Sequence, residues 1–274
     1  MARIPALAAN GCAWVTGASS GIGAAVALEL AQRGWVVAAT ARSADALAAM
    51  AAANARIKAI PADVTEQASM QAAAGRIRTE IGPIGLLIAN AGIYLATDAR
   101  APDASVYRRT FDVNVMGVAH ALEAVLPDMV ARRAGHVHIV SSATGFGGMP
   151  TASAYGASKA ALINMAQCLK IELDRCNVGV SLATPGFVET PAQDNNAFPK
   201  PFMITPHAAA VVIADAVARG GFETSFPRRL TWILKALYAL PKPLYLPLVR
   251  RQTRWRDRDK EPPSPSKDAP SHGA

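Results

Sequence analysis

The chain has 274 residues, 51% hydrophobic and 18% charged, enough for one large α/β domain or two small ones with a buried core, and not the composition of a disordered chain. Its three cysteines, Cys12, Cys168 and Cys176, show no CxxC spacing and no neighbouring histidine cluster, so neither a metal site nor a disulfide framework is expected, and a reducing compartment, the cytoplasm, is the natural setting. A dense share of the cations behind the formal charge of +8 falls between Arg228 and Lys260, which describes a local surface and not the whole molecule.

The opening stretch MARIPALAANGCAWV has no continuous apolar run before a cleavage site, so no signal peptide is expected. No uninterrupted apolar run of about 18 residues marks a membrane-spanning helix. Strand-length runs then recur in CAWVT, WVVAAT, RIKAI, LLIAN, HVHIVSS and VGVSLAT, with a weaker seventh in FETSF, and alanine-rich segments of helical length lie between them. That alternation predicts βαβ units. Strands apolar on both faces predict a doubly wound parallel sheet with helices on each side and right-handed crossovers, over residues 8–226. Such a sheet binds its ligand at the carboxyl ends of its strands, so the loops there should carry the function.

After the first run comes TGASSGIG, Thr16 to Gly23, with Ser19, Ser20 and Ile22 between the glycines. Gly17, Gly21 and Gly23 permit a sharp turn, close approach of a pyrophosphate and tight helix packing, and the helix start offers unpaired N–H groups to phosphates. The spacing differs from the common G-x-G-x-x-G, and a simple tight turn is the competing reading. The second run ends in TARSADAL, without the acidic residue that holds a ribose 2′-hydroxyl. Arg42 stands there for a 2′-phosphate, with Ser43 beside it, which favours NADP(H) over NAD(H); a solvated surface arginine is the alternative. Asp63 and Val64 after the third run suit an adenine ring, and an N-cap role for Asp63 or Thr65 is compatible with that. Asn90, Ala91 and Gly92 after the fourth allow close backbone approach, as would an ordinary turn.

Taken in order, TGASSGIG, DV, NAG, FDVNVMG, HVHIVSSATG, YGASK and PGFVET resemble the short-chain dehydrogenase/reductase family in its single-domain form. The resemblance implies a Rossmann-like fold, a nicotinamide cofactor, and interconversion of alcohols and carbonyls. It carries the family's asparagine, serine, tyrosine and lysine onto Asn114, Ser142, Tyr155 and Lys159. By the same resemblance Lys159 binds the nicotinamide ribose, Asn114 holds a water in a relay to the lysine, backbone groups near Val188 and the Thr190 hydroxyl hold the nicotinamide carboxamide, and Pro185 and Gly186 belong to the same cofactor-binding segment.

Tyr155 and Lys159 stand four apart and share a helix face. A tyrosine titrates near about 10, and a neighbouring ammonium is expected to bring it down toward working pH. Ser141 competes with Ser142, but adjacent strand residues face opposite ways and the spacing to Tyr155 favours Ser142. Ile93, Tyr94, Phe146, Met149, Phe187, Phe198, Phe202 and Met203 give an apolar set for a hydrophobic carbonyl or alcohol. The segment PAQDNNAFPKPFMITP reads as a lid over it.

Past Phe226, residues 227–260 mix leucine, tryptophan, tyrosine and arginine in short proline-broken helical patterns. Packing on the body, packing on a second subunit, and peripheral membrane contact through residues 228–256 all remain open. No nucleic-acid reading motif accompanies the charge, so no nucleic-acid partner is expected. Residues 261–274 have little to bury and are expected to be disordered. The reading is therefore an NADP(H)-dependent oxidoreductase, a homo-oligomer (dimer or tetramer) through the helices bearing Asn114 and Tyr155. A non-catalytic NADP(H) sensor or a membrane-peripheral interaction protein on the same fold is the alternative.

Overall fold

The computed structural model describes residues 3–190 and 200–253. Phe198, most of the expected lid, and the tail at 261–274 lie outside the described residues. Each predicted run supplies one strand: β1 Cys12–Thr16, β2 Val37–Thr40, β3 Ile57–Ala59, β4 Ile84–Ala89, β5 His136–Val140, β6 Gly179–Pro185 and β7 Glu223–Phe226. They form one parallel sheet in the order β3-β2-β1-β4-β5-β6-β7. Several strands are shorter than their apolar runs: β5 ends at Val140, although Ser141 N–H still donates to Ala183 O of β6 at 2.9 Å.

Alternation along each strand builds two cores. Trp14, Leu87 and Val137 point to one face and pack with Met70, Ala73 and Ile77 of α3 (Gln67–Glu80) and with Leu122 and Val125 of α5 (Gly117–Arg132); Leu162 and Ala166 of α6 (Ser153–Leu173) complete that side. Ala13, Val15, Leu86 and Ile88 point to the other, against Val26 and Leu30 of α1 (Gly21–Gln32), Leu47 of α2 (Ala44–Ala53) and Ile213 and Val217 of α7 (Pro206–Arg219). This is why most of the strands read as nearly continuous apolar runs. The one polar group of Trp14 is satisfied inside the core, its Nε1 donating to Thr40 Oγ1 at 2.8 Å.

Between β4 and β5 the chain runs helically over 29 residues, Ala104–Arg132, and an 18-residue window within it has mean hydropathy 1.2, long and apolar enough to cross a membrane by composition. Its segments are α4 (Ala104–Phe111), a wider turn at Asp112–Met116, and α5. The apolar face of α5 is occupied by the sheet, as a core helix requires. After β7 come α8 (Arg228–Tyr238) and α9 (Lys242–Gln252), which turn back over the loop that follows β5.

Candidate active site

The glycine loop is shaped by backbone geometry that a side chain would oppose. Gly17 and Gly21 have φ of +66° and +55°, and a Cβ on Gly23 would lie 2.2 Å from Gly17 O. Ser20, at the N-cap of α1, makes no side-chain capping bond, so the first N–H groups of a 12-residue helix, at Gly21, Ile22 and Gly23, have no side-chain acceptor there. That is an arrangement suited to an anion. The loop after β4 is stapled to it: Asn90 Nδ2 donates to Thr16 O at 3.0 Å, while the Asn90 and Ala91 N–H groups donate to Thr16 Oγ1 at 3.1 and 3.2 Å. Asn90 thus holds the two loops together, and Thr16 is the partner that motif reading passed over.

On the other side, the loop after β6 reaches the same place. Gly186 N–H bonds to Phe226 O at 2.7 Å, Val188 pairs with Ile204, and the Thr190 Cγ2 methyl would lie 3.0 Å from a Cβ on Gly21. Pro185 closes β6 beside Phe226.

Farther along the strand ends, a cleft of about 730 Å³ collects Arg42 with Arg108 and Arg109 of α4, along with Thr65, Glu66 and Asp112. The sequence pointed only to Arg42, because α4 is remote in the chain and nothing local marks its arginines as neighbours of β2. Ser43 caps α2, accepting from Ala46 N–H at 3.5 Å, a long contact that leaves its hydroxyl weakly engaged. Asp63 Oδ1 accepts from both the N–H and hydroxyl of Thr65 at 2.9 and 2.8 Å. The expected N-cap at Asp63 or Thr65 is corrected: α3 starts at Gln67 with Glu66 before it, since Asp63 closes its own tight turn first. Val64 is only 8% exposed and packs on Gly117 of α5, where a Cβ would come within 2.9 Å of its methyl.

The four residues of the family pattern converge at the tops of β4 and β5. Asn114 sits in the Asp112–Met116 turn, where Gly117 N–H bonds back five residues to Asp112 O, the wider π spacing. Its fully buried amide is engaged on three sides: Ile93 N–H donates to Oδ1 at 2.8 Å, and Nδ2 donates to Ile93 O at 3.1 Å and to Ser158 Oγ at 3.0 Å. Lys159 is 3% exposed, with Nζ donating to Val140 O at 3.0 Å and standing 5.7 Å from the centre of the Tyr155 ring. A Cβ on Gly92 would lie 3.3 Å from both Asn114 Oδ1 and Lys159 Nζ, so the glycine is what lets all three meet.

Ser141 and Ser142 separate as strand alternation requires. Ser141 Oγ donates to Lys159 O at 2.7 Å, fastening the strand to α6, while Ser142 Oγ accepts from Thr144 N–H at 3.2 Å on the Tyr155 side. Tyr94 meets Tyr155 edge to face at 5.2 Å between ring centres and bonds through its hydroxyl to Thr151 Oγ1 at 3.1 Å. Thr151 holds φ of +60°, a strained setting for a β-branched residue. No sequence signal marks it. Of the other apolar candidates, Phe146 packs on Tyr238 of α8, and Phe202 and Met203 are exposed.

The electrostatics depart from expectation in one respect. Burial pushes the Tyr155 phenol above its usual value, the Ser142 hydroxyl opposing, so the tyrosine is not drawn down as the neighbouring lysine led us to expect. Burial also lowers Lys159 to about 8. Desolvation is the largest cause for both groups, because both sit away from water. Among the described residues no cluster of histidine, cysteine or carboxylate is spaced for a metal ion.

Residues 11–199 match the family model for short chain dehydrogenase. Over 243 residues, 87% of this chain and 96% of the relative, the sequence is 37% identical to an uncharacterized oxidoreductase of Myxococcus xanthus. It is 35% identical over 187 residues to the 2,3-dihydro-2,3-dihydroxybenzoate dehydrogenase of Bacillus subtilis, covering 66% of this chain and 71% of that one. In structure it resembles a short-chain dehydrogenase from Streptomyces avermitilis with TM-score 0.75 and 27% identity, over 91% of this chain and 98% of that one. A match that runs through the glycine loop, the strand ends and the Tyr155 helix, with the Myxococcus relative and the Streptomyces structure covered nearly end to end, makes the chain a member of the short-chain dehydrogenase/reductase family, oxidoreductases that bind a nicotinamide cofactor.

Proposed function

We propose that the protein is an NADP(H)-dependent reductase of a hydrophobic carbonyl, with residues 8–226 as its catalytic unit. The observation that carries this reading is the meeting of Lys159 Nζ and the Asn114 amide at Gly92, with Tyr155 and Ser142 at the same strand ends. The cradle fits a dinucleotide: Gly17, Ser19, Ser20, Gly21, Ile22 and Gly23 would hold the pyrophosphate at the open end of α1. Arg42 and Ser43 would take a 2′-phosphate, helped by Arg108 and Arg109 in the same cleft. Asp63 and Val64 would flank the adenine, Asn90, Ala91 and Gly92 the adjoining backbone, Tyr155 and Lys159 the nicotinamide ribose, and Pro185, Gly186, Val188 and Thr190 the carboxamide.

When bound, the cofactor supplies the hydride that reduces the carbonyl carbon. Tyr155, kept neutral by burial, is suited to give its phenolic proton to the oxygen as negative charge develops. Ser142 orients that oxygen and donates to it. Lys159, titrating near working pH at about 8, can return a proton to Tyr155. Asn114 fixes the Ile93 backbone at the edge of this path. Tyr94 and Phe146 supply apolar walls, which supports a hydrophobic substrate. Met116 and Ile171, exposed at 45% and 65% on the helical runs bearing Asn114 and Tyr155, support assembly of the chain with copies of itself.

The test is NADPH consumption against apolar ketones, aldehydes and quinones, with Tyr155→Phe alongside. Turnover that Tyr155→Phe abolishes while NADPH still binds supports the reading; turnover unchanged in that variant removes Tyr155 from the chemistry. Arg42→Ala is expected to weaken NADPH binding by about tenfold to a hundredfold, the worth of a charge-assisted phosphate contact, and to leave NADH unaffected. Equal losses for both cofactors in a titration would count against the 2′-phosphate assignment.

A further inference from the structure

Helices α8 and α9 close on the body with one face and leave the other open. Leu230, Tyr245 and Val249 are buried; the Tyr245 hydroxyl donates to Gly148 O at 2.6 Å, and Tyr238 packs against Tyr245 and Phe146 at 5.3 and 6.2 Å between ring centres. Away from those contacts α8 exposes Trp232 at 70% and Ile233 at 58%, and α9 exposes Leu244 at 56%, Leu246 at 59% and Leu248 at 39%, on the two flanks of its buried stripe. These are five of the eleven large apolar side chains exposed among the described residues, gathered between positions 232 and 248. A solvated face would scatter them singly.

The charge of the same stretch has one sign. Residues 227–253 contain no aspartate or glutamate, but hold Arg228, Arg229, Lys235, Lys242, Arg250 and Arg251. Lys235 pairs with Glu223 at 2.7 Å. Arg228, Arg229 and Arg251 take part in none of the ion pairs among the described residues. A second copy laid symmetrically on this face would set cations against cations, since a two-fold contact presents the same patch from both sides. An acyl boundary beneath a layer of phosphates meets both features at once: tryptophan and leucine enter the headgroup region while arginines and lysines reach the anionic groups above it.

We propose that the outer face of α8 and α9 docks the protein on an anionic lipid bilayer. The inference stands on this surface alone and holds whatever the substrate is. The test is co-sedimentation of the full chain with vesicles of phosphatidylcholine, and of phosphatidylcholine mixed with phosphatidylglycerol. Two double variants accompany it, Trp232→Glu with Leu246→Glu, and Arg228→Glu with Arg229→Glu, each checked for native circular dichroism.

The expected result is pelleting with the mixed vesicles only, release by added salt, and partitioning at least about tenfold weaker in both variants. Equal pelleting with neutral and anionic vesicles overturns the proposal, as does pelleting of either variant at the level of the parent chain. If the parent stays in solution with every vesicle while the Trp232 and Leu246 variant loses mass in sedimentation, the face belongs to a second copy and the lipid assignment is wrong.

Discussion

At Tyr155 and Lys159, burial acts on two groups of opposite chemistry and drives them apart, the phenol up and the ammonium down to about 8. The lysine is protonated below that value and neutral above it. Carbonyl reduction that draws its proton through Lys159 should therefore slow as pH rises through about 8. A pH profile of kcat/KM that stays flat through that region would take Lys159 out of the proton path. Gly92 tests the same site by geometry. Gly92→Ala would put a methyl 3.3 Å from both Asn114 Oδ1 and Lys159 Nζ. Each neighbour has to give by a few tenths of an ångström, enough to shift the Lys159 ammonium and the Asn114 amide without unseating the core, so kcat/KM should fall by as much as about a hundredfold with little change in Tm. A matching loss of Tm would mean that the position matters to folding instead.

Among the elements, the helical run from Ala104 to Arg132 shows how local structure serves the site. The extra residue at Asp112–Met116 resets the phase between α4 and α5, so that Asn114 turns its amide to Ile93 while α5 keeps its apolar face on the sheet. Helices α8 and α9 depend on a small residue in the loop after β5. A Cβ on Gly147 would meet the Tyr238 ring at 2.5 Å and the Tyr245 hydroxyl at 2.8 Å. Gly147→Ala should push both helices off the body, seen as faster proteolytic removal of the region after Phe226 with the sheet left intact. Unchanged cleavage kinetics would show that the contact gives way without cost.

For the molecule as a whole, the most exposed liability is at low pH. His136 and His138 lie inside the sheet, bridged by Ser181 Oγ at 2.6 and 2.7 Å, and His138 Nε2 has no partner among the described residues. Burial lowers them from 6.5 to about 4 and about 3. Both are neutral in folded and unfolded chains well above 6.5. As pH falls below 6.5 the unfolded chain takes up protons first, so stability declines until the folded values near 4 and 3 are passed. Tm should fall over that window, and His138→Leu should reduce the fall; a Tm independent of pH between 6.5 and 4 would show that these histidines do not govern acid stability.

What the sequence by itself determined is what short-range pattern encodes. Nearly continuous apolar runs such as CAWVT and LLIAN announced strands buried on both faces, and Gly17, Gly21 and Gly23 marked a turn that side chains would oppose. The four-residue step from Tyr155 to Lys159 set two polar groups on one helix face. Tertiary structure decided whatever depends on residues far apart in the chain meeting. It brought Arg108 and Arg109 to Arg42, tied Thr16 to Asn90, and set Tyr94 edge to face against Tyr155. It also reversed the expected shift of the tyrosine, because desolvation is a property of the finished core and not of the spacing. The extension divides in the same way: its composition announced a basic apolar helix pair, and only packing showed that Tyr245 and Leu230 turn inward while Trp232 and Leu246 remain outside.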